Sequence, residues 1–169
     1  MKIDCITLFP EMFAPLEHSI IGRARKNGLI DFKTIFLRDF AINDYGQVDD
    51  APYGGEPGMV LRPEPLAQAI RSTGVRDNKG TVIYLTADGQ PLTHQIAKEL
   101  SKKEHLVLVC GHYKGIDERI RETEIDMEIS IGDFVVSGGE LPAMVLTDAV
   151  GRLLEGALGN KESGETDSF

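Results

Sequence analysis

The sequence predicts an α/β domain built on a parallel sheet with helices on both faces. Two short runs carry that prediction: Thr81–Thr86 (TVIYLT) and His105–Cys110 (HLVLVC) are almost continuously apolar, whereas a strand with one wet face would alternate. Between them, Pro91–Lys103 has the spacing of a helix, and strands that take turns with helices are the pattern of parallel units joined by crossovers. With 169 residues, of which 41% are hydrophobic, the chain can bury one sizeable core without disulfide staples.

The remaining elements follow in order. Lys2–Leu8 reads as a strand, and Glu11–Asn27 as a helix closed by Gly28, with Arg23, Arg25 and Lys26 placed where cations favour a helix C-terminus. Ile30–Leu37 reads as a strand and Pro63–Ser72 as a helix opening on proline. A strand over Asp126–Ile131 precedes a final helix, Glu140–Glu155, whose Leu141, Met144, Val145, Ala149, Val150, Leu153 and Leu154 wrap most of its circumference. Thr147, Asp148, Gly151 and Arg152 are left as its polar stripe. Asp148 and Arg152 stand four apart, as in a surface ion pair, or else Arg152 is held on a rigid element to face a substrate. From Glu155 the text EGALGNKESGETDSF loses apolar periodicity and reads as linker, which suggests a further domain beyond Phe169.

Charge and composition exclude several function classes. The net charge of -9 argues against binding a polyanion by bulk electrostatics. Residues 1–76 carry 9 basic and 10 acidic groups and the rest 9 and 17, so a polyanion would approach the first half more easily. No apolar run reaches the roughly 18–20 residues of a membrane-spanning helix, and the start has no signal-peptide pattern, so a cytoplasmic protein is expected. Cys5 and Cys110 lie inside apolar runs and read as buried thiols. GxGxxG leading into a helix, GxxxxGK[ST], HExxH, CxxC and GxSxG are all missing, which removes standard dinucleotide binding, phosphate-loop, metal-hydrolase and serine-esterase chemistry.

Ligands of open parallel sheets bind beyond the carboxyl ends of the strands. Three segments there are rich in glycine or polar residues: Ala87–Gln90, Gly111–Gly115 and Gly132–Glu140. Glycine lets a backbone approach a ligand closely and exposes its N–H and C=O groups, which suits an adenine edge and a ribose. A fourth segment, Asp49–Gly58, holds two prolines and three glycines and reads as a stiff turn on which Tyr53 offers a face for stacking on a base.

The strings LFPEMF (8–13), DDAPYGGEPGMVLRPEPL (49–66), CGHYKGIDERI (110–120), EISIGDFVVSGGELPAMVLTDAVGRLL (128–154) and DSF (167–169) together resemble the TrmD family of bacterial tRNA (guanine-N1)-methyltransferases, in order and over essentially the whole chain. The resemblance implies a SPOUT-class parallel sheet whose C-terminal part threads a loop into a deep trefoil knot, a feature no composition foretells. It implies S-adenosylmethionine as cofactor, a homodimer with sites shared between subunits, and methylation of guanine N1 in tRNA at the guanosine immediately 3′ of the anticodon. The cofactor residues it implies are Tyr84, Leu85 and Thr86; Gly111, Tyr113 and Gly115; and Ser130, Ile131, Gly132, Asp133, Phe134, Val135, Val136, Gly138, Gly139 and Pro142. Asp167 falls on the family's general base and Arg152 on its catalytic arginine; no metal site is implied.

The same resemblance implies a domain over 1–158 and an interdomain linker over 159–169, with a tRNA-gripping helical domain to follow, so that this chain alone would bind cofactor and turn over poorly. His112, Lys114, Ala87, Phe134, Val136 and Glu56 depart from the family's usual residues. Two other functions remain open on the residues: a SPOUT enzyme methylating another RNA position, and a non-catalytic RNA-binding module.

Overall fold

A computed structural model describes residues 1–52, 54 and 57–158. The domain expected over 1–158 therefore falls almost wholly within the described residues, while the 159–169 segment and its Asp167, together with Tyr53 and Glu56, lie outside them.

Five strands make one wholly parallel sheet: β1 (Lys2–Thr7), β2 (Asp31–Phe36), β5 (Thr81–Pro91), β6 (His105–Cys110) and β7 (Met127–Ser130), in the order β2-β1-β6-β5-β7. The two apolar runs that predicted the sheet are its middle, where every residue of β6 is buried. Helices cover both faces as expected. On one side α1 (Ser19–Lys26), α3 (His94–Leu100) and α5 (Glu140–Gly151) bury Ile21, Leu100 and Leu146 against Ile3, Ile83 and Leu108. On the other, α2 (Pro63–Ser72) and α4 (Glu118–Glu124) bury Leu66, Ile70 and Ile120 against Ile6, Val82 and Val107. The fold class is thus a mixed α/β fold on a parallel sheet. Among the described residues no helix is long and apolar enough to cross a membrane.

Several elements differ from the sequence expectation. The helix expected over 11–27 is a 3-10 stretch, Pro10–Glu17, followed by α1. Pro15 lacks the N–H a continuous α-helix needs, and the chain breaks where His18 is extended and Ser19 takes a φ of 57°. The helix expected from Pro91 begins three residues later, because Pro91 still pairs with Ser130 in the sheet and Thr93 supplies the cap, its hydroxyl accepting the Ile96 N–H at 3.2 Å. Helix α4 and the antiparallel pair of β3 (Asp49–Asp50) and β4 (Val60–Leu61) were not anticipated: α4 buries only Ile120 and Glu124, and strands of two residues leave no periodicity to read.

The last helix corrects the polar stripe. Thr147 is fully buried, and Gly151 packs so closely that a Cβ there would stand 2.7 Å from Ile21 Cδ1 and 2.9 Å from Ile30 Cδ1. Leu141 and Val145 are instead the exposed pair, at 48% and 47%. Helix α5 uses its small residues to approach α1 and presents large apolar ones outward.

Candidate active site

The cleft lies where the sequence placed it, beyond the carboxyl ends of β5, β6 and β7, and encloses about 250 Å³. Segment 86–90 is an excursion of β5 rather than a free loop. Leu85 and Gln90 both pair with Ile129 of β7, so the residues between them leave the sheet and return to the same partner. The return passes hard against β7, because a Cβ on Gly89 would lie 2.7 Å from Glu128 C and Ile129 N. Only glycine fits that crossing.

Loop 111–115 forms the second wall. Tyr84 points its hydroxyl at this loop, where a Cβ on Gly111 would sit 2.9 Å from it and one on Gly115 3.1 Å, so both glycines make room for the ring. Burial pushes the Tyr84 phenol up from its ordinary value, which keeps it neutral and able to donate. The loop is braced from outside: Leu61 N–H donates to Gly115 O (3.0 Å), Lys114 N–H to Met59 O (2.9 Å) and Asp117 N–H to Leu61 O (3.2 Å). Segment 59–61 is thereby fastened to the cleft.

The third wall runs from β7 into α5. Gly139 N–H donates to Gly111 O at 2.9 Å, and a Cβ on Gly139 would stand 2.5 Å from Cys110 Cα. Here two backbones meet with nothing between them. Glu140 opens α5 and is 1% exposed; its carboxylate accepts from the Thr7 hydroxyl (2.6 Å) and from His112 Nε2 (2.8 Å). Burial raises the pKa of such a group, but the hydrogen bonds from His112 and Thr7 outweigh it and hold Glu140 below its ordinary value. An ionised acceptor requires the proton of that pair on His112 Nε2. His112 in turn packs at a tilt of 58° against Phe9, ring centroids 5.1 Å apart.

Of the cofactor residues implied by the sequence, the cleft brings together Tyr84, Leu85 and Thr86; Gly111, Tyr113 and Gly115; and Ser130, Ile131, Phe134, Val135, Val136, Gly138, Gly139 and Pro142. Gly132 and Asp133 belong to the same loop and do not line the cleft; Ser130 folds over that point, its hydroxyl donating to Gly132 O at 2.8 Å. His112 and Lys114 also line it, so the chain's departures from the family pattern sit in the site itself. Among the described residues no group of three or more His, Cys, Asp or Glu is placed to hold a metal ion.

The family model described as tRNA (guanine-1)-methyltransferase TrmD matches residues 1–169. The chain belongs to the TrmD family. It is 53% identical over 170 residues to the tRNA (guanine-N(1)-)-methyltransferase of Staphylococcus aureus strain MRSA252, and equally to that of strain JH9, covering 100% of this chain and 69% of each relative. A crystal structure of the tRNA (m1G37) methyltransferase from Aquifex aeolicus superposes with a TM-score of 0.86 at 42% identity, over 95% of this chain and 72% of that one.

Arg152 does not line the cleft. It caps the far end of α5, whose Pro142 lines the cleft, so about 15 Å of helix separates the two at 1.5 Å per residue. Asp167 lies outside the described residues. Sequence reasoning did not find the Thr7–Glu140–His112 network; the signal available was a carboxylate opening an otherwise apolar helix directly after paired glycines.

Proposed function

We propose that this chain transfers a methyl group from S-adenosylmethionine to N1 of the guanosine immediately 3′ of the tRNA anticodon. Family membership supports the enzyme class, and the likeness to a tRNA (m1G37) methyltransferase supports the position. The observation that carries the reading is the convergence of three glycine-bearing segments from adjacent strand ends on one cleft. Its chemistry suits the cofactor: Leu85, Ile129, Ile131 and Pro142 offer apolar walls for an adenosine, while Gly111, Gly138 and Gly139 leave main-chain groups within a ligand's reach. The bound cofactor supplies the methyl group on a sulfonium.

The protein's part is proton and charge handling. Guanine N1 is protonated at neutral pH, and losing that proton moves negative charge to O6. Asp167 accepts the proton, a role worth a factor of about 10²–10⁴. Arg152 stabilises the charge on O6 by a charge-assisted hydrogen bond. Since α5 carries Arg152 away from its own cleft, a second protomer brings it to the site. Phe134, Val135, Leu141 and Val145, exposed at 56%, 86%, 48% and 47% around the third wall, are an apolar surface suited to that homodimer contact. The backbone crossings at Gly89 and Gly139 support a chain threaded as a deep trefoil knot of the SPOUT class. A cytoplasmic location follows from the tRNA substrate.

The deciding experiment incubates the chain, in excess, with tRNA and S-adenosylmethionine and identifies the modified nucleoside by mass spectrometry. N1-methylguanosine is expected; 2′-O-methylguanosine would reassign the enzyme to another RNA position. Calorimetric titration with S-adenosylmethionine separates both from a non-catalytic RNA-binding module, which needs no cofactor affinity.

A further inference from the structure

One arginine outside the cleft ties its walls together. Arg121 on α4 donates from Nε and Nη2 to the two carboxylate oxygens of Glu128 on β7, at 2.8 and 2.5 Å. The same Nη2 reaches Asp88, in the excursion of β5, at 3.1 Å. Asp88 also accepts a hydrogen bond from the Thr86 hydroxyl, and Thr86 lines the cleft. The Arg121 guanidinium carbon lies 5.8 Å from the centroid of the Tyr84 ring. Arg121 itself does not line the cleft.

The geometry matters because the excursion is tethered to the sheet only at its ends, where Leu85 and Gln90 share Ile129. Asp88 and Glu128 stand on either side of that jump, and without a cation between them two carboxylates would push the excursion away from β7. A guanidinium is the group for this place. Its planar fork fixes Glu128 through two parallel bonds and still presents a donor to Asp88, which a lysine ammonium cannot match in geometry. Asp88 is 62% exposed, so solvent screens its part of the strap, and Glu128, at 28%, is the firmer anchor.

We propose that Arg121 is a positioning residue for the methyl-donor site, holding segment 86–89 and the Tyr84 ring in the arrangement the cofactor needs. The proposal rests on the cleft being the S-adenosylmethionine site. Its test uses the full 169-residue chain and three readouts: calorimetric affinity for S-adenosylmethionine, thermal unfolding, and amide hydrogen exchange resolved to residues 86–90. Arg121→Met, which keeps an apolar stem over Tyr84 and removes the fork, is expected to weaken cofactor binding about 3- to 10-fold, the range of coupling within one hydrogen-bonded network. It should speed exchange over 86–90 and leave exchange in β6 unchanged. Arg121→Lys is expected to recover part of the affinity, and in an Asp88→Asn background Arg121→Met should cost less than it does alone.

Affinity within twofold of the unsubstituted chain in Arg121→Met, or unchanged exchange over 86–90, would overturn the proposal. So would a loss of affinity accompanied by faster exchange throughout the sheet, which marks a merely structural arginine. If the unsubstituted chain does not bind S-adenosylmethionine, the cofactor reading fails instead, and the exchange pattern alone then decides whether Arg121 fixes the excursion.

Discussion

The two ends of the sheet hold the same pair of groups and use it differently. Near the amino ends of β1 and β6, the Asp4 carboxylate meets His105 Nε2 at 2.8 Å, with Lys2 Nζ 2.7 Å from the same oxygen. At the carboxyl ends of the same strands, Glu140 meets His112 Nε2 at 2.8 Å, with the Thr7 hydroxyl as third member. The Asp4–His105 pair is sealed, its side chains 4% and 2% exposed, and is not part of the cleft lining. His112 is 11% exposed and looks into the cleft, on loops that glycine brings within contact of one another. A buried carboxylate–imidazole pair is therefore no mark of a site by itself; what distinguishes the second is the open volume and the close backbone crossings around it.

Substitutions at matched positions sharpen that contrast. The largest effect is expected from Gly139→Val, whose side chain would be driven into the Cys110 and Gly111 backbones, with Gly111 N only 2.8 Å from the first added carbon. A cost of about 1–3 kcal/mol in an overpacked contact, falling on the cofactor wall, should weaken S-adenosylmethionine binding about 10- to 100-fold by calorimetry. At the opposite end, Gly80→Ala meets Val75 Cγ2 at 2.6 Å and His105 O at 2.9 Å. It should lower unfolding stability by a similar amount in urea while leaving cofactor affinity intact.

Next in size, Glu140→Ala takes the acceptor from the Thr7 O–H and the His112 N–H, at about 1–3 kcal/mol, and should weaken both stability and cofactor binding. Asp4→Asn should reduce stability alone. Equal loss of cofactor affinity in the Asp4 and Glu140 variants would erase the distinction between the two ends.

A smaller effect is expected from pH. Glu140 has its pKa lowered on folding, because the His112 and Thr7 hydrogen bonds outweigh burial, so its contribution is present in full above the unfolded value near 4.5 and is lost as pH falls through the lower folded value. The stability difference between the unsubstituted chain and Glu140→Gln, measured by urea unfolding, should stay level above about pH 5 and shrink below it. The least effect is expected from Lys33→Ala: its partner Asp31 lies 3.2 Å away, but both side chains are about 60% exposed, and under about 0.5 kcal/mol should register.

Much of this layout is legible in the residues. TVIYLT and HLVLVC declare a buried parallel sheet because no charged residue interrupts them, and the glycines at 111 and 139 mark where backbones come close. The excursion at 86–90 is not legible, since leaving a sheet and rejoining the same partner residue depends on β7, some forty positions away. Nor is the burial of Thr147, whose hydroxyl is one of two buried side-chain atoms without a hydrogen-bond partner among the described residues; packing by segments distant in the chain decides it. Arg121 reads as one more charge on a polar helix until Glu128 and Asp88 are brought to either side of it. Local pattern reports burial well, and reports badly those contacts that two distant segments make with each other.

The placement of Tyr84 and Tyr113 has a practical consequence for spectroscopy. The chain has no tryptophan and four tyrosines, and among the described residues Tyr84 and Tyr113 face the cleft. Ultraviolet emission from this protein is therefore phenolic, and these two emitters stand where an adenine ring would quench them. Occupancy of the cleft can be followed by the intrinsic light of the unlabelled protein.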